Sequence, residues 1–346
     1  MKKLVLIILT GMLIYGCGEK TGEKKPETQK DQFSFDTSDI KTAPVENPDR
    51  TFYLRYKLEK GNTYNFRLTA ISKDDQSIAS KDTTLSQGMD QTIIYNIKFT
   101  PTEIDADSNM EMDAEVTSVK LDGTYGDEPI HYQSGTHIDS ADFKKYAQYE
   151  SMIHNPFNKR VSKLGELLDI FRTDKILDKL IDLGGFKDSI KSEEKATLKN
   201  DLSEGVLKPL LNQVFRKLPA EDMAKDSSWK VEQPPTQMMV FQAQNTSIFK
   251  INDIKKLDDD LVAEIGASLS TKITGKNKLS DRGINYEFQK PVTSGGGKIY
   301  FNINKGLIQK AKLSTSVMLS FNMESRGQKG SKKETIANTN ILEYIP

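Results

Sequence analysis

The feature that most constrains this chain is an alternation of apolar and polar residues that sets in at Thr51 and recurs almost to the end. Phe52, Leu54, Tyr56 and Leu58 alternate with polar neighbours, Lys60-Gly61-Asn62 supplies a turn, and Tyr64, Phe66, Leu68 and Ala70 resume the pattern. Period two puts every second side chain on one face of a strand, so the two runs predict a hairpin with one wet face. Ile93, Tyr95, Ile97 and Phe99 predict a third strand, ended by Thr100-Pro101, and Met110, Met112, Ala114 and Val116 a fourth. The apolar phase then shifts to Val119 and Leu121, which predicts a bulge.

The C-terminal part has the same style. Strands are expected at 239–243, 248–251, 261–269, 284–288, 299–303, 313–321 and 335–344. Strands joined by short turns, without crossover helices between them, pair antiparallel. The middle differs. Ile176, Leu177, Leu180 and Ile181 recur at helical spacing, and Leu198, Leu202, Val206, Leu210, Val214 and Leu218 form a stripe stepped by four. Pro209 has no N–H for the carbonyl of Gly205, so the stripe predicts two helical pieces meeting near Gly205. The fold expected is α+β and mostly antiparallel β. One or more curved sheets occupy residues 51–346, with a central helical insert at about 166–218 packed on one face to bury its apolar row.

The N-terminus reads differently again. Met1-Lys2-Lys3 is a short basic opening, and Leu4 to Tyr15 is a stretch of about a dozen apolar residues, short of the roughly 20 that span a bilayer. Ile14-Tyr15-Gly16-Cys17 resembles the bacterial lipobox, with Tyr15 bulkier than usual. The resemblance implies a signal peptide over 1–16, cleavage before Cys17, and acyl chains on that cysteine, the only one in the sequence. Two or more acyl chains make a stable anchor where one does not. Gly18 follows the cysteine in place of a retention aspartate, which points to the outer membrane of the cell envelope. Residues 17–50, rich in Lys, Glu, Thr, Asp and Pro, are expected to form a lipidated, disordered tether in which only Phe33 and Phe35 could dock on the domain.

Removing the signal leaves 47 basic against 49 acidic residues, from 49 of each less Lys2 and Lys3. Without a concentrated basic stripe, nucleic acid is not an expected partner. Asp105-Ala106-Asp107-Ser108-Asn109 opens like a calcium loop but has Met110 and Val116 where Gly and Glu are required, so a polar turn is expected. His131, His137 and His154 are read as separate surface histidines and not as a metal site. Gly295-Gly296-Gly297-Lys298 fails the phosphate-loop spacing and is read as a turn. Trp229 is read as a packing anchor where the chain returns from helix to sheet.

Three segments carry a further resemblance: Glu59-Lys60-Gly61-Asn62-Thr63-Tyr64, Val161-Ser162-Lys163-Leu164-Gly165-Glu166, and Leu218-Pro219 followed by Asp226-Ser227-Ser228-Trp229. With them the sequence resembles a family of uncharacterised envelope lipoproteins of Gram-negative bacteria, a domain of unknown function, and more distantly LolA-type lipoprotein carriers. The resemblance implies a β-rich envelope lipoprotein and supplies no activity, cofactor or catalytic residue. Two classes of function follow as expectations. One is a non-enzymatic protein that binds a partner or serves envelope assembly. The other is a carrier or sensor of a lipid or other hydrophobic ligand held between sheet and helices. No catalytic motif is present to nominate an enzyme, and the one partner implied outright is the membrane, through lipid on Cys17.

Overall fold

Alternation of the kind described above leaves each strand with a face to bury, and the chain meets that demand with one very wide sheet. The structure, a computed structural model, describes residues 32–46, 50–139 and 142–346. In chain order the elements open with the short β1 (Ala43–Pro44), the long β2 (Tyr64–Ala79), β3 (Thr84–Ile104) and β4 (Met110–Tyr125), and β5 (Glu128–Gln133). Then come α1 (Phe143–Met152), β6 (Phe157–Val161), β7 (Leu167–Phe171), α2 (Asp174–Gly184), α3 (Ser192–Asn200), a π-helical stretch over Asp201–Leu207, and α4 (Lys208–Val214). The C-terminal half holds β8 (Ser228–Glu232), β9 (Thr236–Met238), β10 (Phe241–Leu257), β11 (Asp260–Gly275), β12 (Lys278–Asp281), β13 (Ile284–Phe288), β14 (Val292–Asn302), β15 (Leu307–Ser325) and β16 (Gln328–Ile345).

All strands belong to one 16-stranded sheet, antiparallel at each pairing, in the order β1-β10-β11-β14-β15-β16-β2-β3-β4-β6-β7. It is a mostly-β fold with a single large curved, unclosed sheet and a few helices, and the stripe of leucines is helical from Ser192 to Val214. The two halves join at the centre, where the last long strand, β16, pairs with the first, β2, from Ser331↔Ala79 to Ile345↔Asn65. The free edge of β10 is covered by β9, β8 and β1 in turn, which removes a template for edge-to-edge association.

This order explains where the helices go. β7 lies at one end of the strand order and β8 pairs onto β10 at the other, so residues 172–227 must cross the sheet. They do so over the apolar face. Leu198, Leu202, Leu210, Val214 and Leu218 are buried in one cluster with Ile93, Ile97, Phe99, Met110 and Met112. The insert boundaries are corrected by the structure: Leu167–Phe171 is the strand β7, and α1 forms earlier than expected. Around Pro209 the helix does not break. The α3 helix widens into the π-helical stretch, Lys208 N–H donates to Ser203 O, and Pro209 sits in the first turn of α4, where no N–H is missed.

The expected hairpin of 52–58 with 64–70 is also corrected. Phe52, Leu54, Tyr56 and Leu58 do point inward and are buried, but among the described residues this run pairs with no neighbouring strand. Its backbone is spent on three scattered partners: Phe52 with Met223, Tyr56 N–H with Lys163 O, and Lys57 N–H with Gly306 O. The bulge is where the phase shift placed it. Asn96 pairs Ser118 and Ile97 pairs Val116, leaving Thr117 as the extra residue, and Val116 and Val119 both turn inward. Expected strands 239–243 and 248–251 are one strand, β10.

Candidate functional site

Cys17 lies outside the described residues, as do the signal segment 1–16 and the first part of the expected tether. Residues 32–46 of that tether do not hang free. From Gln32 the chain crosses the sheet on the face opposite the helices, nearly perpendicular to the strands. Gln32 O accepts from Asn96 on β3, Ser34 O from Arg67 on β2, and Thr37 O from Lys312 on β15. Asp36 meets Lys310 on β15 at 3.1 Å, Asp39 meets Lys298 on β14 at 2.6 Å, and β1 ends the crossing against Lys255 and Lys256 of β10. Phe33 is buried.

The sheet is prepared for this strap. Cross-strand partners Arg67, Glu343, Lys310, Tyr300 and Glu264 run in one row through β2, β16, β15, β14 and β11. Lys310 is buried and lies 3.7 Å from Glu343. Each opposite-charge neighbour in such a row adds a few tenths of a kcal/mol to about 1. A hydrogen bond from the Ser38 backbone, then its hydroxyl, then Lys310 hold the Asp36 carboxyl well below the usual carboxylate range, and Lys298 lowers Asp39 in the same sense.

Two of the three segments that carry the family resemblance meet around Tyr56 at the end of the helices, while Glu59 to Thr63 are exposed. Tyr56 Oη, buried, accepts from Arg216 N–H at 2.8 Å and donates to a carbonyl of the same turn. Gly165, at φ +80°, lies so close that an added Cβ would stand 2.3 Å from Arg216 O and 2.6 Å from the Tyr56 ring, so only glycine fits. Leu218 N–H donates to Leu164 O, and Trp229 stacks on Phe249 at 5.2 Å while its indole N–H donates to Lys217 O. These residues tie the end of the helices to the sheet edge.

The other sequence candidates are each engaged locally. Both Asp105 oxygens are taken, by the Asp107 and Asn109 N–H groups, the Asn109 side chain and Arg160, which closes the turn and lowers the Asp105 pKa to about 2, Asn109 contributing most. His131, His137 and His154 are exposed, apart from one another in the fold, and each faces its own carboxylate: Asp122, Asp139 and Glu115. Gly295–Gly297 is no turn but the middle of β14. A Cβ at Gly297 would stand 2.0 Å from Lys312 O, and one at Gly296 2.9 Å from Ala267 O, so the run lets three strands close up. Lys298 is spent on Asp39 and Glu264.

Two features escaped the sequence. Lys159 on β6 is fully buried, with its amine 3.3 Å from the Phe215 ring centroid and 3.6 Å from that of Phe99. The second lies at the end of the sheet remote from the helices, where Phe241, Ala243, Ile273 and Phe288 form a separate apolar cluster. A cleft of about 620 Å³ opens there between the ends of β10, β11 and β13. Its floor is Phe241, Ile273 and Phe288, and its rim carries Lys276, Lys278 and Lys290.

Fold and contacts thus define a mostly-β protein, a single antiparallel sheet crossed by helices on one face and by its own N-terminal segment on the other. The chain belongs to the family described as "Family of unknown function (DUF6263)", which matches residues 107–308. No curated protein matches it. Among solved structures it is similar to lipovitellin, from work on that protein's lipid–protein interactions, at 10% identity and a TM-score of 0.43, over 84% of this chain. The match takes in 26% of the lipovitellin chain, so this chain spans about a quarter of that length. It is also similar to an outer membrane channel of Pseudomonas putida F1, at 7% identity and a TM-score of 0.15, over 84% of this chain and 97% of that one. OpdF of Pseudomonas aeruginosa is similar at 6% identity and a TM-score of 0.20, over 84% and 100% of the two chains. Likenesses this weak carry no argument about fold or function. Among the described residues, no helix is long and apolar enough to cross a membrane.

Proposed function

We propose that this is a membrane-anchored envelope lipoprotein, held by acyl chains on Cys17 and acting as a non-enzymatic binding or envelope-assembly protein. The observation that carries the reading is the closed packing of helices on sheet. Ile176, Leu177, Leu207 and Val214 are at 0–1% exposure in the same cluster as Phe99 and Met112, so the helices build a scaffold. Working surface is left at the other end of the sheet, where long strands run on past the helices.

Intact-mass measurement of the protein purified from its own membrane tests the anchor, with Cys17→Ser as the control. The expected result is acyl mass on the wild-type protein and none on the variant, which leaves the membrane fraction. A C17S protein that is cleaved at the normal site and still fractionates with membranes defeats the lipoprotein reading. A second reading, a carrier or sensor of a hydrophobic ligand, is favoured by the lysine-rimmed cleft, though at a place other than the sheet–helix interface.

A further inference from the structure

The remote cleft has the chemistry of a binding site for one particular class of molecule. Phe288 packs against Phe321 at 5.2 Å and Tyr286 at 5.9 Å, and with Phe241 and Ile273 it belongs to one buried apolar cluster. At Gly275, φ +138°, a Cβ would stand 2.8 Å from Val240 O; glycine lets the ends of β10 and β11 close into a wall. Phe288 N–H donates to Asn277 O, which pins the loop carrying Lys276 to the strand that precedes Lys290. Of the rim lysines, Lys278 faces Glu287 at 3.6 Å, while Lys276 and Lys290 make no ion pair among the described residues, and no carboxylate lines the cleft. Cations gathered beside an apolar floor repel one another and set up a positive potential that an anion relieves.

We propose that this cleft binds a single-chain amphiphile with one anionic head, its carboxylate or phosphate between Lys276 and Lys290 and its hydrocarbon on Phe241, Ile273 and Phe288. The volume lies in the range of roughly 300–1,000 Å³ typical of sites for single small ligands, which suits one chain and not a bilayer surface. The proposal rests on the reading of the chain as a binding protein and is independent of its anchor.

The test uses the full mature chain from position 17 with Cys17→Ser, titrated calorimetrically with monomeric dodecyl phosphate, dodecanol, inorganic phosphate, and vesicles of phosphatidylglycerol. Binding of dodecyl phosphate at least tenfold tighter than dodecanol, with no heat from phosphate alone, is expected. The variant Lys276→Glu/Lys290→Glu, whose exposed sites leave the thermal melt unchanged, should lose at least tenfold of that affinity and keep its weak affinity for dodecanol. Equal binding of dodecanol and dodecyl phosphate, an unaffected variant, binding to vesicles without binding of the monomer, or no binding at all each overturns the proposal. None of these results bears on whether Cys17 is acylated, so the two readings fail separately.

Discussion

Lys159 is the residue whose placement is hardest to justify by stability. Among the described residues its amine has no hydrogen-bond partner, it lies against two phenyl rings, and burial pushes its pKa well below the ordinary value of 10.5. Each ring face attracts a desolvated cation by about 2 kcal/mol or more, which offsets only part of the several kcal/mol that burying an ammonium costs, because its pKa still falls well below the ordinary value. Because the folded state binds this proton more weakly than the unfolded chain, stability rises with pH between the lowered pKa and 10.5. Lys159→Met keeps the stem and drops the amine. It is expected to raise stability at neutral pH by about 1 kcal/mol or more, and to flatten the rise. Urea unfolding from pH 7 to 10 measures both; a Met variant less stable than wild type would mean that the amine has a partner here. The alternation was a signal in plain view, since Phe157, Lys159 and Val161 share one parity. Lysine is so seldom buried that composition argues the other way, and the sequence offered no means of choosing.

At the scale of elements, strands were legible where one face is covered and not elsewhere. β13 matches its expected range, yet β2 runs on to Ala79 and β3 begins at Thr84, through Lys73, Asp74, Asp75 and Gln76, where no apolar alternation marks a strand. Register with neighbours holds these residues extended, and that is not a local property. The strap failed to show for the converse reason: Phe33 and Phe35 are two apolar residues in a polar run, and what docks the run is charge complementarity to lysines more than 250 positions away. Within the tether expected over 17–50, residues 32–46 therefore form a structural element. Phe33→Ala should cost about 2 kcal/mol, within the range for burying such a side chain, in place of the near-zero effect of a surface tether; a loss under ~0.5 kcal/mol in urea unfolding would return the segment to tether status. Its ion pairs set a pH window. Asp36 and Asp39 have depressed pKa values, so their contribution is present above the unfolded value of 3.8 and is lost as pH falls through the lower folded values. Lys298, raised chiefly by its hydrogen bond to Asp39, contributes fully below 10.5 and stops contributing as pH rises through its higher folded value. Hydrogen exchange of residues 32–46, corrected for intrinsic rates, should show protection at neutral pH that fades at both extremes, before the sheet itself opens.

The whole molecule depends on a pairing that joins its first long strand to its last, and this is the level at which sequence patterns say least. Alternation gave strands and an antiparallel class, and it could not say that β16 would seek β2. The family match covers residues 107–308, from just before β4 to the opening residues of β15. In the sheet, however, β14 and β4 are separated by β15, β16, β2 and β3. A fragment cut to 107–308 would lose the central strands and keep two blocks with raw edges on each side. It would also lose Leu54, Tyr56, Phe66, Leu68, Ile97, Phe99 and Leu342 from the main core, and each large apolar side chain contributes roughly 1.5–3 kcal/mol. For seven side chains that is roughly 10–21 kcal/mol, as large as the whole margin of roughly 5–15 kcal/mol by which a domain is stable at all. The expected outcome is that 107–308 alone shows no cooperative melt by circular dichroism and aggregates, whereas 32–346 unfolds in one transition. A fragment 107–308 that melts cooperatively with native-like β signal would mean that the matched region folds by itself, and that the pairing of β16 with β2 is an addition to a finished domain and not the joint that makes one.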